Sequence, residues 1–251
     1  MNDTVTYVGH GTVRIALDGT RLLTDPLLRT RVTHLRRRAA VSPEAFRGVD
    51  AVLISHAHFD HLDVPSLERL GRSTPVVLPR GCGALLRRRR FAHVVEIDVG
   101  ETVAVGAVSV RATEAEHDGG RGPFGVSGPA LGYVVEGTRR VYFAGDTDLF
   151  PGMADIGRGR LDVALVPIWG WGPSLGRGGH MDPQRAAEAV ALLRPRVVVP
   201  IHWGTYHPLH LGLRDVPAYL RDPPEQFARA AAATAPEVEV RVLRPGETLA
   251  L

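Results

Sequence analysis

The run Asp50-Ala51-Val52-Leu53-Ile54-Ser55 is almost wholly apolar and leads directly into His56-Ala57-His58-Phe59-Asp60-His61-Leu62-Asp63. Such a run reads as a strand buried on both faces. Three imidazoles and a carboxylate therefore crowd the end of a buried strand. Polar groups this dense need partners, and a divalent cation supplies them, because imidazole and carboxylate suit zinc, iron or manganese. In extended geometry His56 and His58 point the same way and can face one ion. Asp60 and His61 come as the chain turns into a short helix expected over 65–70, and can face a second. The spacing is not the helical H-E-x-x-H of zincins. Whatever fold forms must open a site at the end of this strand.

The rest of the chain supplies the sheets for that strand. Residues 4–8 and 12–17 are β-rich, Gly9-His10-Gly11 breaks between them, and Asp18-Gly19 signals a hairpin into 21–24. The chain thus opens as an antiparallel meander. Apolar runs at 75–78, 141–144, 163–168 and 197–201 read as buried strands, and 108–115 as another. Asp182 and Pro183 start a helix with Ala186, Val190 and Leu193 on one face, ended by Pro195. Asp222 starts a second helix that runs to about Thr234. Residues 238–243 alternate and read as a closing strand. Buried strands interleaved with amphipathic helices imply an α/β chain whose sheets are covered by helices. No repeat or composition shift divides the 251 residues, so one domain over 1–251 is expected. Loops 118–129 and 170–182 are rich in glycine and proline, and long loops of this kind are usually functional or disordered. Their Phe124 and Trp171, with the neighbouring Trp169, argue against disorder and read as apolar walls of a mouth.

Composition removes several chemistries. All 30 basic residues are arginine, so no lysine Schiff base, P-loop lysine or Ser-Lys dyad can operate. The single cysteine, Cys82, excludes a disulfide scaffold. A net charge of +3 does not indicate nucleic-acid binding, which is not expected. No stretch approaches the length of a membrane span, and the start resembles no signal peptide, so no integral membrane association and a cytoplasmic location are expected. The runs Arg36-Arg37-Arg38 and Arg87-Arg88-Arg89-Arg90 are candidate phosphate or membrane contacts. The second reads rather as the solvated face of a helix.

The segment His56-Ala57-His58-Phe59-Asp60-His61 resembles the H-x-H-x-D-H signature of the metallo-β-lactamase superfamily. That resemblance implies a four-layer αβ/βα sandwich with a dinuclear metal site between the sheets at one edge. It also implies three further ligands after downstream strands: His117, Asp146 in Gly145-Asp146-Thr147, and His202 in Pro200-Ile201-His202-Trp203-Gly204-Thr205. By the family pattern His56, His58 and His117 hold one ion, Asp60, His61 and His202 hold another, and Asp146 bridges them. The ions would be two divalent cations, zinc first, with manganese or iron as alternatives. Family β-lactamases of the best-known class use a cysteine near the place of Asp146, which argues against β-lactam hydrolysis here.

Gly9-His10-Gly11-Thr12, Gly179-His180-Met181-Asp182-Pro183 and the His202 segment are similar to bacterial relatives of the N-acyl-phosphatidylethanolamine phospholipase D group. The ascorbate-6-phosphate lactonase group is a neighbour. Both groups imply a phosphate-bearing small-molecule substrate. The expected activity is hydrolysis by a hydroxide shared between the ions, with Asp60 orienting it or receiving its proton. His180 is expected to hold a phosphate oxygen or protonate the leaving group. A lactonase, esterase or thioesterase on the same scaffold, or a non-catalytic metal-binding protein, are the alternatives. His10 reads as a structural hydrogen-bonder in the first turn. His34, His93, His207 and His210 read as surface residues or supports behind the ligands.

Overall fold

The computed structural model describes residues 3–122, 125–169, 179–209 and 216–251. The first half runs β1 (Thr4–Gly9), β2 (Thr12–Leu17), β3 (Thr20–Thr24), the short β4 (Arg31–Val32) and β5 (Leu35–Arg37), β6 (Ala51–Leu53), α1 (Val64–Leu70), β7 (Val76–Pro79), α2 (Gly83–Arg88) and β8 (Val94–Ile97). The second half runs β9 (Thr102–Val105), β10 (Val108–Glu114), β11 (Leu131–Glu136), β12 (Arg140–Phe143), α3 (Met153–Gly157), β13 (Val163–Pro167), α4 (Pro183–Leu193), β14 (Val197–Ile201), β15 (Tyr206–Pro208), α5 (Ala218–Arg221), α6 (Pro223–Thr234), β16 (Glu239–Val240) and β17 (Thr248–Ala250).

Two seven-stranded sheets result, in the orders β17-β1-β2-β3-β6-β7-β8 and β16-β14-β13-β12-β11-β10-β9. They face each other across a core of Val5, Ile15, Leu53, Val110, Tyr133, Phe143, Leu165 and Val199. Helices α1 and α2 cover the outer face of the first sheet through Val52, Ile54, Leu67 and Leu86. Helices α3, α4 and α6 cover the second through Tyr142, Val166, Val190 and Phe227. The expected four-layer sandwich is therefore what forms. It also explains the unbroken apolar runs. In β6, Leu53 enters the inter-sheet core while Val52 and Ile54 enter the helix layer, so both faces must be apolar.

Local signals set the helix starts. Asp63 caps α1 by accepting from the Ser66 N–H, and Arg29 clasps the same carboxylate at 2.6 and 3.0 Å. Asp182 caps α4 through the Arg185 N–H at 2.9 Å, with Pro183 in the first turn as expected.

Three expectations change. Asp222 does not cap α6 with its side chain: α5 already leads into it, and its carboxylate takes Arg221 instead. The closing strand over 238–243 shrinks to Glu239–Val240, because the buried phase slips from Val242, 40% exposed, to Leu243, 8% exposed. The chain then crosses to the other sheet, where β17 pairs antiparallel with β1. Of the first arginine run, Arg37 is not placed to contact phosphate or membrane. Arg37 is buried, and its guanidinium donates to the carbonyls of Val8, Leu27 and Ala39. It thereby fastens the small sheet β15-β5-β4 to the end of β1.

Candidate metal centre

Antiparallel steps from β1 to β2 to β3, then parallel pairing of β3 with β6, give β1, β3 and β6 one direction. The same reasoning gives β10, β12 and β14 one direction in the other sheet. The donors sit beyond the carboxyl ends of these strands, the usual place for a site in an α/β fold. His56, His58 and His117 converge there, as do His10, Asp60, His61 and His202, the donor atoms of each group lying within 4.8 Å of one another. Asp146 lies between the groups. Its Oδ2 is 3.1 Å from His61 Nε2 and 3.3 Å from His202 Nε2, and it also groups with His56. All seven residues singled out in the sequence thus meet at one place.

The far nitrogens of four rings are fixed from behind. His56 Nδ1 meets Ser55 Oγ at 2.9 Å, His61 Nδ1 meets Asp25 Oδ2 at 2.7 Å, His117 Nδ1 meets the Gly179 carbonyl at 2.7 Å, and His202 Nδ1 meets the Trp169 carbonyl at 3.1 Å. Such contacts set the tautomer and aim Nε2 at the centre. His58 is turned the other way, with Nδ1 only 3.3 Å from His117 Nε2. His56 Nε2 and Asp146 Oδ1 are buried with no hydrogen-bond partner. Leaving each so costs about 1–3 kcal/mol, and a cation at the centre removes that cost. The nitrogen and carboxylate donors fit zinc, iron or manganese.

The charges of these groups are set by one another and by burial. Burial opposes charge on Asp146, yet His202 and His61 hold its carboxyl well below the usual range. Burial likewise opposes charge on Asp60, but His61 and the His10 hydrogen bond hold it well below as well. His61, despite burial, is pushed well above the ordinary histidine value by Asp146, Asp25 and Asp60. His56 is lowered far below it by burial and by His61. Burial and the neighbouring His117 also lower His58.

The backbone here is strained. His10 (φ 61°), Asp25 (φ 34°) and His202 (φ 60°) adopt left-handed conformations that disfavour their side chains. Gly145 (φ 64°) brings Asp146 hard against the first sheet, where a Cβ would lie 2.7 Å from Ser55 Cβ.

Two residues of the centre were not assigned to it from sequence. Asp25, fully buried, accepts from Ser55 N–H at 2.7 Å, Ser55 Oγ at 2.6 Å and His61 Nδ1. A carboxylate directly after an apolar strand was the available signal. His10, read as a turn hydrogen-bonder, has Nε2 at 2.9 Å from Asp60 Oδ2. Burial and His202 lower it to about 3, so it is neutral.

His180 lies inside the centre, with Nδ1 3.6 Å from Asp146 Oδ2 and its ring 4.6 Å from His117. Burial lowers it to about 4, against the pull of Asp146. Trp169 is not an open wall. It is 6% exposed, stacks on Tyr219 and belongs to the core behind His202. Phe124, Trp171 and His210 lie outside the described residues. His34 and His93 are exposed, whereas His207 is buried in β15. A cavity of about 540 Å³ opens at the opposite strand ends, lined by Thr20, Val77, Val95, Val103 and Val105, and contains none of these donors. No helix among the described residues is long and apolar enough to cross a membrane.

Residues 20–203 match the β-lactamase superfamily domain. The chain is 32% identical over 251 residues to a UPF0173 metal-dependent hydrolase of Methanopyrus kandleri, covering 97% of this chain and 98% of that protein. It is 34% identical over 256 residues to another from Thermus thermophilus, covering 98% of each. A solved metallo hydrolase from Ignicoccus hospitalis superposes with a TM-score of 0.76 at 26% identity, covering 100% of this chain and 99% of that one. Similarity along its whole length shows that the chain belongs to the β-lactamase superfamily, alongside the UPF0173 metal-dependent hydrolases.

Proposed function

We propose that the chain is a one-domain metal-dependent hydrolase with a two-ion centre that acts on a phosphodiester or another phosphate-bearing small molecule. The observation that carries the reading is the pair of partnerless buried atoms, His56 Nε2 and Asp146 Oδ1, inside a cage whose outer nitrogens are already satisfied. His56, His58 and His117 would hold one ion, Asp60, His61 and His202 the other, with Asp146 between them. Two divalent ions, zinc above manganese or iron, would supply an activated water near neutral pH and positive charge against a developing oxyanion.

The side chains supply orientation and proton control. Asp60, held ionised by His61 and the His10 hydrogen bond, would orient the nucleophile as a hydrogen-bond acceptor or receive its proton. His180 is neutral at pH 7 in the free protein and offers one N–H to a phosphate oxygen. The same ring would face the leaving group of a substrate held there. The phosphate preference rests on the similarity of the His10, His180 and His202 segments to the phospholipase D and lactonase groups.

Asp146→Ala is expected to lose metal and hydrolysis together. Full metal content with retained activity would overturn the bridging role. A screen of phosphodiesters, lactones and thioesters, with protein of measured zinc, iron and manganese content, tests the substrate class. Turnover of lactones or thioesters alone would replace the phosphate reading.

A further inference from the structure

His10 enters the centre from the β1–β2 turn, 50 residues before Asp60 and far in sequence from His202. It touches both. Its Nε2 lies 2.9 Å from Asp60 Oδ2. Its carbonyl accepts the His202 N–H at 3.0 Å, and its ring lies over the His202 ring at 4.0 Å between centroids. The main chain of His10 is itself held, because its N–H donates to Thr205 Oγ1 at 2.9 Å and Tyr7 OH at 3.1 Å. His202 and His10 are both left-handed, so each needs outside contacts to stay so. A residue that served only the turn would not aim a 2% exposed imidazole at a carboxylate in the centre.

We propose that His10 is a positioning residue for the second cation site, holding Asp60 by its Nε2–H and His202 by its carbonyl and ring so that both donors face one ion. A donor behind a ligating carboxylate usually matters about 10–100-fold in metal affinity. The inference rests on the two-ion reading above. Its predicted signature is a split: the second ion weakens and the first does not.

The test is chelator competition on the full chain, titrated with zinc, following both stoichiometric steps. His10→Ala is expected to weaken the second step roughly 10–100-fold and leave the first unchanged. His10→Gln, whose amide N–H reaches the same carboxylate, should recover most of that loss. Equal second-step affinity in His10→Ala and wild type overturns the role of His10 alone, and so does a loss that His10→Gln does not recover. A wild-type chain that takes up a single ion overturns both this and the two-ion reading. If His10→Ala does not fold, His10→Gln and His10→Asn decide. Asn tolerates the left-handed backbone but is too short to reach Asp60, so equal second-step affinity in these two overturns the proposal.

Discussion

Asp25 shows how one side chain can serve two candidate donors. Its Oδ2 receives His61 directly and Ser55 Oγ, and Ser55 Oγ meets His56 Nδ1. A single buried carboxylate therefore orients one candidate donor of each ion. Asp25→Asn replaces an acceptor by a donor and sets it against the His61 N–H or the Ser55 hydroxyl. Metal affinity is expected to fall roughly 10–100-fold, read by chelator competition. Unchanged affinity would show that the two rings are held by packing alone. His56, His58 and His61 were legible because they are local, within one segment whose spacing carries the chemistry. Asp25 and His10 were not, because their partners lie 36 and 50 residues away in the sequence.

Among the elements, α2 has an unusual start. Cys82 stands at its N-cap position with no side-chain bond, and burial raises its thiol to about 11, so it is neither cap nor reactive group. The cap comes instead from Glu96 on β8, which accepts from the N–H groups of Gly81 at 2.8 Å and Gly83 at 2.9 Å and from Arg87 at 2.6 Å. Burial opposes the charge, but these donors hold Glu96 below the usual carboxylate value. A depressed folded pKa gives stability that is present above the unfolded value near pH 4.3 and is lost as pH falls through the folded value. Glu96→Gln should therefore cost about 1–2 kcal/mol at pH 7. The gap should narrow as pH falls below the unfolded value and through the folded one, measured by urea unfolding at pH 7 and at successively lower pH. A gap of equal size throughout would assign the effect to packing. Sequence reading found the cap of α4 because Asp182 is adjacent to its helix. It did not find this one, because the capping group sits on another strand.

At the scale of the whole molecule, the centre draws its donors from both sheets: His56 and His61 follow β6 of the first, and Asp146 and His202 follow β12 and β14 of the second. A cation there would tie the layers together, and anything that binds only the folded state stabilises it by mass action. At a free ion level about 100 times the dissociation constant this amounts to about 2.7 kcal/mol. For a chain of this size that corresponds to roughly 5–10 °C in melting temperature. Stripping the protein with a chelator should lower its melting midpoint by about that much, and restoring zinc, manganese or iron in turn should recover it. Equal midpoints with and without metal would count against a resident cation.

By itself the sequence determined the buried runs of β6, β7, β12, β13 and β14, because burial on two faces demands apolar residues along the strand. It also determined the local cluster of candidate donors, since groups on one segment need no partner to be recognised. The placing of His117, Asp146 and His202 relied on resemblance and order along the chain. Only the tertiary structure decided which residues stand behind the candidate donors. Asp25, His10 and the Gly179 and Trp169 carbonyls reach them across space, and hydrogen bonds between distant segments leave no periodicity in the sequence to read.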